Sequence, residues 1–286
     1  MDRILFGDNQ FFGVNHMSEE KARAQAMKFQ DLDEIMAVLR AAYDNDITTF
    51  MCTTHARIGD VIERMKQQPD VWRKQQFYPC MPYAHKYANA MTEDGVFGAV
   101  KKFLPDSGFF DAAMRGTKSL AGKDIEGITT LLIDAEMKMF EGFPTPVIFL
   151  QNVVVDLLLG LGFRDAFAIF ADHVKAKYNA EPGFITMNLP LCLETLAAVG
   201  IENPIICSNI NKIGFRMSGG VNTYQEIITT RRFRPIAMSV FASGALEPRE
   251  ALEWLKSQGI ESFVFGASSV RNIRSTRELS DYVWQS

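Results

Sequence analysis

The sequence predicts a (β/α)8 barrel, the TIM-barrel architecture, with a long helical excursion after its third strand. Three observations point there. Eight runs rich in β-branched, aromatic and other apolar residues alternate with segments at helical spacing. Each run is continuously apolar, as expected of a parallel sheet covered by helices on its outer face. The length, 286 residues, suits a single barrel domain spanning the whole chain. An open doubly wound sheet is the competing arrangement. Against it, no GxGxxG follows the first strand and no linker divides the chain.

The elements follow in order. Residues 4–13 read as a first strand that runs into polar Asp8, Asn9 and Gln10. Residues 21–45 form a helical stretch, with Ile35, Val38, Leu39 and Ala42 on one face. Residues 47–52 are the second strand. Thr53, Thr54 and His55 follow it, and residues 57–67 repeat the helical pattern with Ile58, Val61, Ile62 and Met65 inward. Residues 76–83 are a third strand that contains Pro79 and Pro82 and is expected to fray early.

About sixty residues then separate this run from the next strand, far more than one crossover helix needs. Helical patterns at residues 95–103 and 127–140 mark residues 84–145 as a helical insertion, an excursion over the mouth or a covering subdomain. Strands four to six are read at residues 146–152, 183–188 and 204–211, and their helices at 163–178, 190–199 and 221–230. Residues 235–246 and 262–269 supply strands seven and eight. A helix at 249–258 lies between them and another begins at Val270.

Bulk properties exclude several classes. A net charge of −4 leaves no footprint for nucleic acid. The tight basic cluster Arg231, Arg232 and Arg234 is too short for one and reads as a solvated loop or a ligand clamp. Cys52, Cys80, Cys192 and Cys207 show no CxxC spacing, and three lie in apolar runs, where a thiol behaves as a small hydrophobe. A reducing, cytoplasmic setting is expected. The opening residues carry too short an apolar run for a signal peptide, and no run is long enough to span a membrane.

In a barrel, chemistry sits where strands end. That rule collects Asp8, Asn9, His55, Cys80, Tyr83, His85, Gln151, Asn152, Asn188, Asn209 and Asn211 at one mouth. The set is rich in amides, which bind polar ligands but do not exchange protons near neutral pH. His55 is the best general acid or base of the set; it reads equally well as the cap of the helix after strand two. Cys80 would need a neighbouring base to act as a nucleophile. Asp8, His55, Cys80 and His85 lack the spacing of metal ligands, so no metal is expected. His16 and His173 receive no role. The loops after strands seven and eight are rich in Gly and Ser, and Arg271 and Arg274 follow at once. Backbone N–H groups, a helix N-terminus and guanidinium groups would meet there as an anion site.

The last two units resemble the aldo-keto reductase superfamily. Ile236-Ala-Met-Ser-Val-Phe-Ala-Ser-Gly-Ala-Leu246 is similar to its seventh-strand motif, and Phe265-Gly-Ala-Ser-Ser269 with Asn272 and Arg274 to its eighth-strand loop. Residues 41–50 and 59–62 resemble its second unit, and Met187-Asn188 falls where that family meets the nicotinamide amide. The resemblance implies NADP(H) or another phosphorylated ligand, with Asn188, Ser208, Phe241, Ser243, Gly244, Leu246, Gly266, Ser268, Arg271 and Arg274 in contact with it.

The departures bear on chemistry. Met51 stands where the family has an aspartate, the third strand offers no lysine and the fourth no histidine. A shift of one residue brings Tyr83 or Lys86 into reach. Three functions stay open. One is a lyase, isomerase or dehydratase type of enzyme acting on a phosphorylated or carbonyl metabolite through His55, Tyr83 and Asn152. Another is an NADP(H)-dependent oxidoreductase with a displaced proton donor. The third is a catalytically silent binding or regulatory barrel. A small-molecule substrate is the expected partner, with neither nucleic acid nor membrane, and the oligomeric state is unknown.

Overall fold

A computed structural model describes residues 1–13, 18–83 and 123–285 of the chain. Its strands close into a barrel in sequence order, with β1 (Ile4–Phe6) hydrogen-bonded to both β2 (Thr49–Thr53) and β8 (Ser262–Phe265). The other strands are β3 (Gln76–Met81), β4 (Val147–Leu150), β5 (Glu181–Thr186), β6 (Ile205–Asn209) and β7 (Arg234–Met238), and every neighbouring pair is parallel. This is the predicted (β/α)8 architecture. The helices are α1 (Glu19–Lys28), α2 (Leu32–Asp44), α3 (Ala56–Lys66), α4 (Lys123–Met137), α5 (Asn152–Leu161), α6 (Asp165–Tyr178), α7 (Leu189–Ala198), α8 (Gly220–Thr230), α9 (Pro248–Ser257) and α10 (Val270–Gln285). None of them is long and apolar enough to cross a membrane.

Strand periodicity divides the core in two. Leu5, Met51, Tyr78, Cys80, Val147, Phe149, Ile185, Ile205, Cys207 and Ile236 fill the barrel interior. Their neighbours in sequence, such as Phe6, Phe50, Phe77, Phe184 and Phe263, face the helices. Both faces of each strand are therefore apolar, which is why the runs read as continuous. Below the inner layer, at the N-terminal ends of the strands, Asp2 accepts from Thr49 and from Gln76 Nε2, and Arg234 pairs with Glu181. These groups stopper that end of the barrel.

β3 pairs with β2 along five residues, from Gln76 to Cys80, so it does not fray on that side. Gln76 N donates to Thr48 O and Phe77 N to Pro144 O, so even positions face β2 and odd ones face β4. Pro79 therefore lacks a donor only on the β4 side, where pairing is confined to Cys80 and Met81.

Two helical readings change. The stretch at 21–45 is two helices, because Asp31 turns extended and caps α2 by accepting from Asp33 N at 2.9 Å. The apolar run after β4 holds a whole helix, α5, that ends at left-handed Gly162 before α6 begins. Within the excursion, α4 packs against α6 in the helix ring, in the place of the ordinary β3–β4 crossover. Residues 84–122, with the helical pattern at 95–103, His85 and Lys86, lie outside the described residues, as does His16.

Candidate functional site

Asp8 follows β1 at the C-terminal rim and is 6% exposed. Its Oδ2 accepts from Thr53 N at 2.8 Å and Thr53 Oγ1 at 2.7 Å. Burial pushes its carboxyl above the ordinary carboxylate range, and the Thr53 bonds offset part of that rise. Asp8 thus joins the end of β1 to the end of β2 and holds a desolvated carboxyl there.

His55 is the N-cap of α3, and its Nδ1 accepts from Arg57 N at 3.0 Å. The cap leaves the neutral ring with its proton on Nε2. Burial and the Arg57 charge lower the His55 pKa, while Asp60 raises it. Its ring lies 4.4 Å from that of Phe12 and meets Tyr83 edge-on at 5.2 Å. Tyr83 is half-buried just beyond β3. Burial and then the Asp8 charge raise its pKa, so the phenol stays protonated. The capping and acid/base readings of His55 are therefore compatible, because the cap uses one nitrogen and frees the other.

Asn152 opens α5 beyond β4, beside the β3 exit, since Gln151 N donates to Met81 O at 2.8 Å. Cys80 is buried in the interior with its thiol pushed well above the usual range by burial, so it supplies no thiolate. Glu136 of α4, at 1% exposure, accepts from Thr54 Oγ1 and from Tyr83 N. Nothing in the sequence singled Glu136 out, because a lone Glu within a helical pattern reads as solvated.

The predicted ligand-contact residues separate into two groups. Asn188 caps α7 through Leu191 N. Ser208 is fully buried on the helix-facing side of β6, 3.5 Å from the Tyr224 hydroxyl, and not in the mouth. Asn209 and Asn211 are likewise engaged, their amides bonding Arg216 O and Phe215 O and bracing the loop after β6. A shallow open depression of about 320 Å³ lies beside that loop, lined by Met187, Gly214, Arg216, Met217 and Ser218.

The loops after β7 and β8 are neighbours. Ala242, Ser243 and Gly244 take successive left-handed conformations, and Ser243 and Gly244 are exposed. Phe241 is partly buried, and Leu246 belongs to the core instead of the surface. Gly266 lies against Gln10; a Cβ there would come within 2.1 Å of Gln10 Oε1. A side chain at 266 would require the Gln10 amide to turn away. Ser268 O accepts from Lys28 Nζ at 3.0 Å, and Ser269 Oγ accepts from Asn272 N. Arg271 and Arg274 are exposed and have no ion-pair partner among the described residues.

These residues fit the two ends of a nicotinamide cofactor unequally. The free arginines and the α10 N-terminus suit its phosphate. Met51 and Tyr78 face each other in register as buried filler of the barrel interior, with burial, Asp2 and Glu181 pushing the Tyr78 phenol up to about 12. Among the described residues no lysine–carboxylate pair stands beside Tyr83 to make its phenol more acidic. No cluster of metal-ligating side chains is present among the described residues.

No protein-family model matches the chain, and no curated protein matches it. Solved structures do. A Pseudomonas aeruginosa protein provisionally assigned as an aldo-keto reductase superposes with a TM-score of 0.60 at 13% identity, over 99% of this chain and 90% of that one. An aldo-keto reductase from a Medee basin deep-sea metagenome library gives 0.57 at 9% identity, over 100% and 91%. An aldo/keto reductase from Brucella melitensis gives 0.53 at 9% identity, over 99% and 94%. The chain shares the fold of these proteins over nearly its full length.

Proposed function

We propose that this chain is a small-molecule enzyme on an aldo-keto reductase-like barrel. Its step is a proton transfer of the isomerase, lyase or dehydratase type on a carbonyl or phosphorylated metabolite. The observation that carries the reading is the Asp8 carboxyl, desolvated at the rim, locked by Thr53 and close enough to Tyr83 for its charge to raise the phenol. A desolvated carboxyl whose pKa is raised by burial is a candidate general acid or base. Asp8 would take the proton beside a substrate carbonyl. The protonated Tyr83 would donate to the developing oxyanion, with His55 Nε2 beside it and the Asn152 amide orienting the substrate. Ser243, Gly244, Ser268, Arg271 and Arg274 would hold a substrate phosphate.

A second reading, an NADP(H)-dependent oxidoreductase, is supported by the shared fold and by the two unpaired arginines.

One experiment separates the two. The protein is incubated in D2O with a panel of phosphorylated and unphosphorylated hydroxy-carbonyl compounds, and loss of α-proton signals is followed by NMR. A parallel titration follows NADPH fluorescence. Exchange that Asp8→Asn abolishes supports the proton-transfer reading. Exchange with no compound, together with carbonyl-dependent NADPH oxidation, overturns it.

A further inference from the structure

We infer that Glu136 is a positioning residue of this site: by gripping Thr54 and Tyr83 together, it sets the edge-to-face contact between the His55 and Tyr83 rings. Thr54 directly precedes His55, and its hydroxyl donates to Glu136 Oε2. The backbone N–H of Tyr83 donates to the same oxygen at 3.2 Å. One carboxylate on α4 therefore ties together the two strand exits that carry the rings.

Packing alone gives no reason for an acid here. Ile133 and Met137, one turn away and next door on α4, are buried and apolar, and they do the packing. A buried carboxylate costs several kcal/mol unless donors surround it. Glu136, at 1% exposure, is tolerated where two of its donors come from the rim segments of the site. The arrangement also means that α4 reports its own docking to the mouth, since any shift of α4 along the barrel wall moves the His55 and Tyr83 exits with it.

The inference rests on the proposed function only for what the two rings do; the contact itself is tested without substrate. The intact protein is labelled at histidine and tyrosine rings, and the His55 signal is identified by its loss in His55→Asn. In the wild type, Overhauser contacts join the His55 and Tyr83 rings. The His55 titration midpoint lies below the ordinary value of 6.5, in a setting that includes Arg57, Asp60 and the rings of Phe12 and Tyr83. In Glu136→Met, which is near-isosteric and removes both acceptor oxygens, the ring contact is lost and the midpoint rises toward 6.5 as water reaches the imidazole. Thr54→Val, near-isosteric and missing one donor, shifts both readouts in the same direction.

A folded Glu136→Met protein that keeps the contact and the midpoint overturns the inference. If that variant does not fold, Thr54→Val with both readouts unchanged overturns it. The catalytic reading fails separately, through an Asp8→Asn protein whose proton exchange matches the wild type.

Discussion

Gly183→Ala tests the packing that floors the site. Gly183 is an interior position of β5, in register with Phe149 on β4. A Cβ there would lie 2.4, 2.5 and 2.8 Å from three atoms of the Phe149 ring, well inside contact distance. The ring is fully buried, and the Tyr78 ring sits 6.0 Å away, so it has little room to withdraw. Overpacking of this kind costs roughly 1–3 kcal/mol. Against that, alanine in place of a strand glycine returns about 0.5–1 kcal/mol of chain entropy. The expected net loss is on the order of 1–2 kcal/mol, a fall in Tm of roughly 2–3 °C. Urea unfolding and thermal melts of Gly183→Ala measure it. Phe149→Leu in the same background makes room for the methyl, so the double variant loses less than the sum of the two single changes. A Gly183→Ala protein more stable than the wild type would show that Phe149 yields freely, and the rigid-floor argument would be wrong.

Three further outcomes are expected. Asp8→Asn lowers turnover by about 10²–10⁴-fold if Asp8 is the general acid or base. The same change alters stability against pH. The folded Asp8 value is raised, so its contribution is present below the unfolded value of 3.8 and is lost as pH rises through the folded one; urea melts should find Asp8→Asn relatively more stable above that window than below it. His55→Ala loses the α3 cap and about 1 kcal/mol, whereas His55→Asn keeps the cap and loses only the imidazole, so the pair separates structure from chemistry in one set of melts and assays. Asp134→Ala removes the acceptor shared by His173, Lys177 and Tyr178 and costs about 1–2 kcal/mol. Burial alone would raise the Asp134 pKa, but Lys177, Tyr178 and His173 together hold it below its ordinary value. This contribution is therefore present above the unfolded value and is lost as pH falls through the folded one, which amide exchange in α4 reads as faster opening in acid.

The barrel was legible because burial on both faces of a parallel strand leaves an unbroken apolar run, and eight such runs punctuated by helices have few architectures to choose from. What stayed hidden has physical causes. α5 was invisible because Val153, Leu157 and Leu161 are apolar yet exposed, so no polar face broke the run from Val147 onward. Ser208 and Asn209 occupy opposite faces of β6, but a run apolar on both sides carries no mark of which residue points inward. Leu246 was read as a ligand contact through its motif and is core. Glu136 draws its role from Thr54 and Tyr83, far away in sequence, and no local pattern announces such a meeting. Asp8 and His55 stand at the rim as read, because the end of a strand is a place that sequence can specify.

The stopper built from Asp2, Thr49, Gln76, Glu181 and Arg234, with the filled interior above it, has a kinetic consequence. A tunnel would let reactant arrive from one side while product departs from the other. This cylinder is a cul-de-sac. If Asp8 is where the proposed reaction occurs, whatever reaches it must leave past the same residues it met on arrival, and a product retained at the rim would compete directly with the next molecule for the approach.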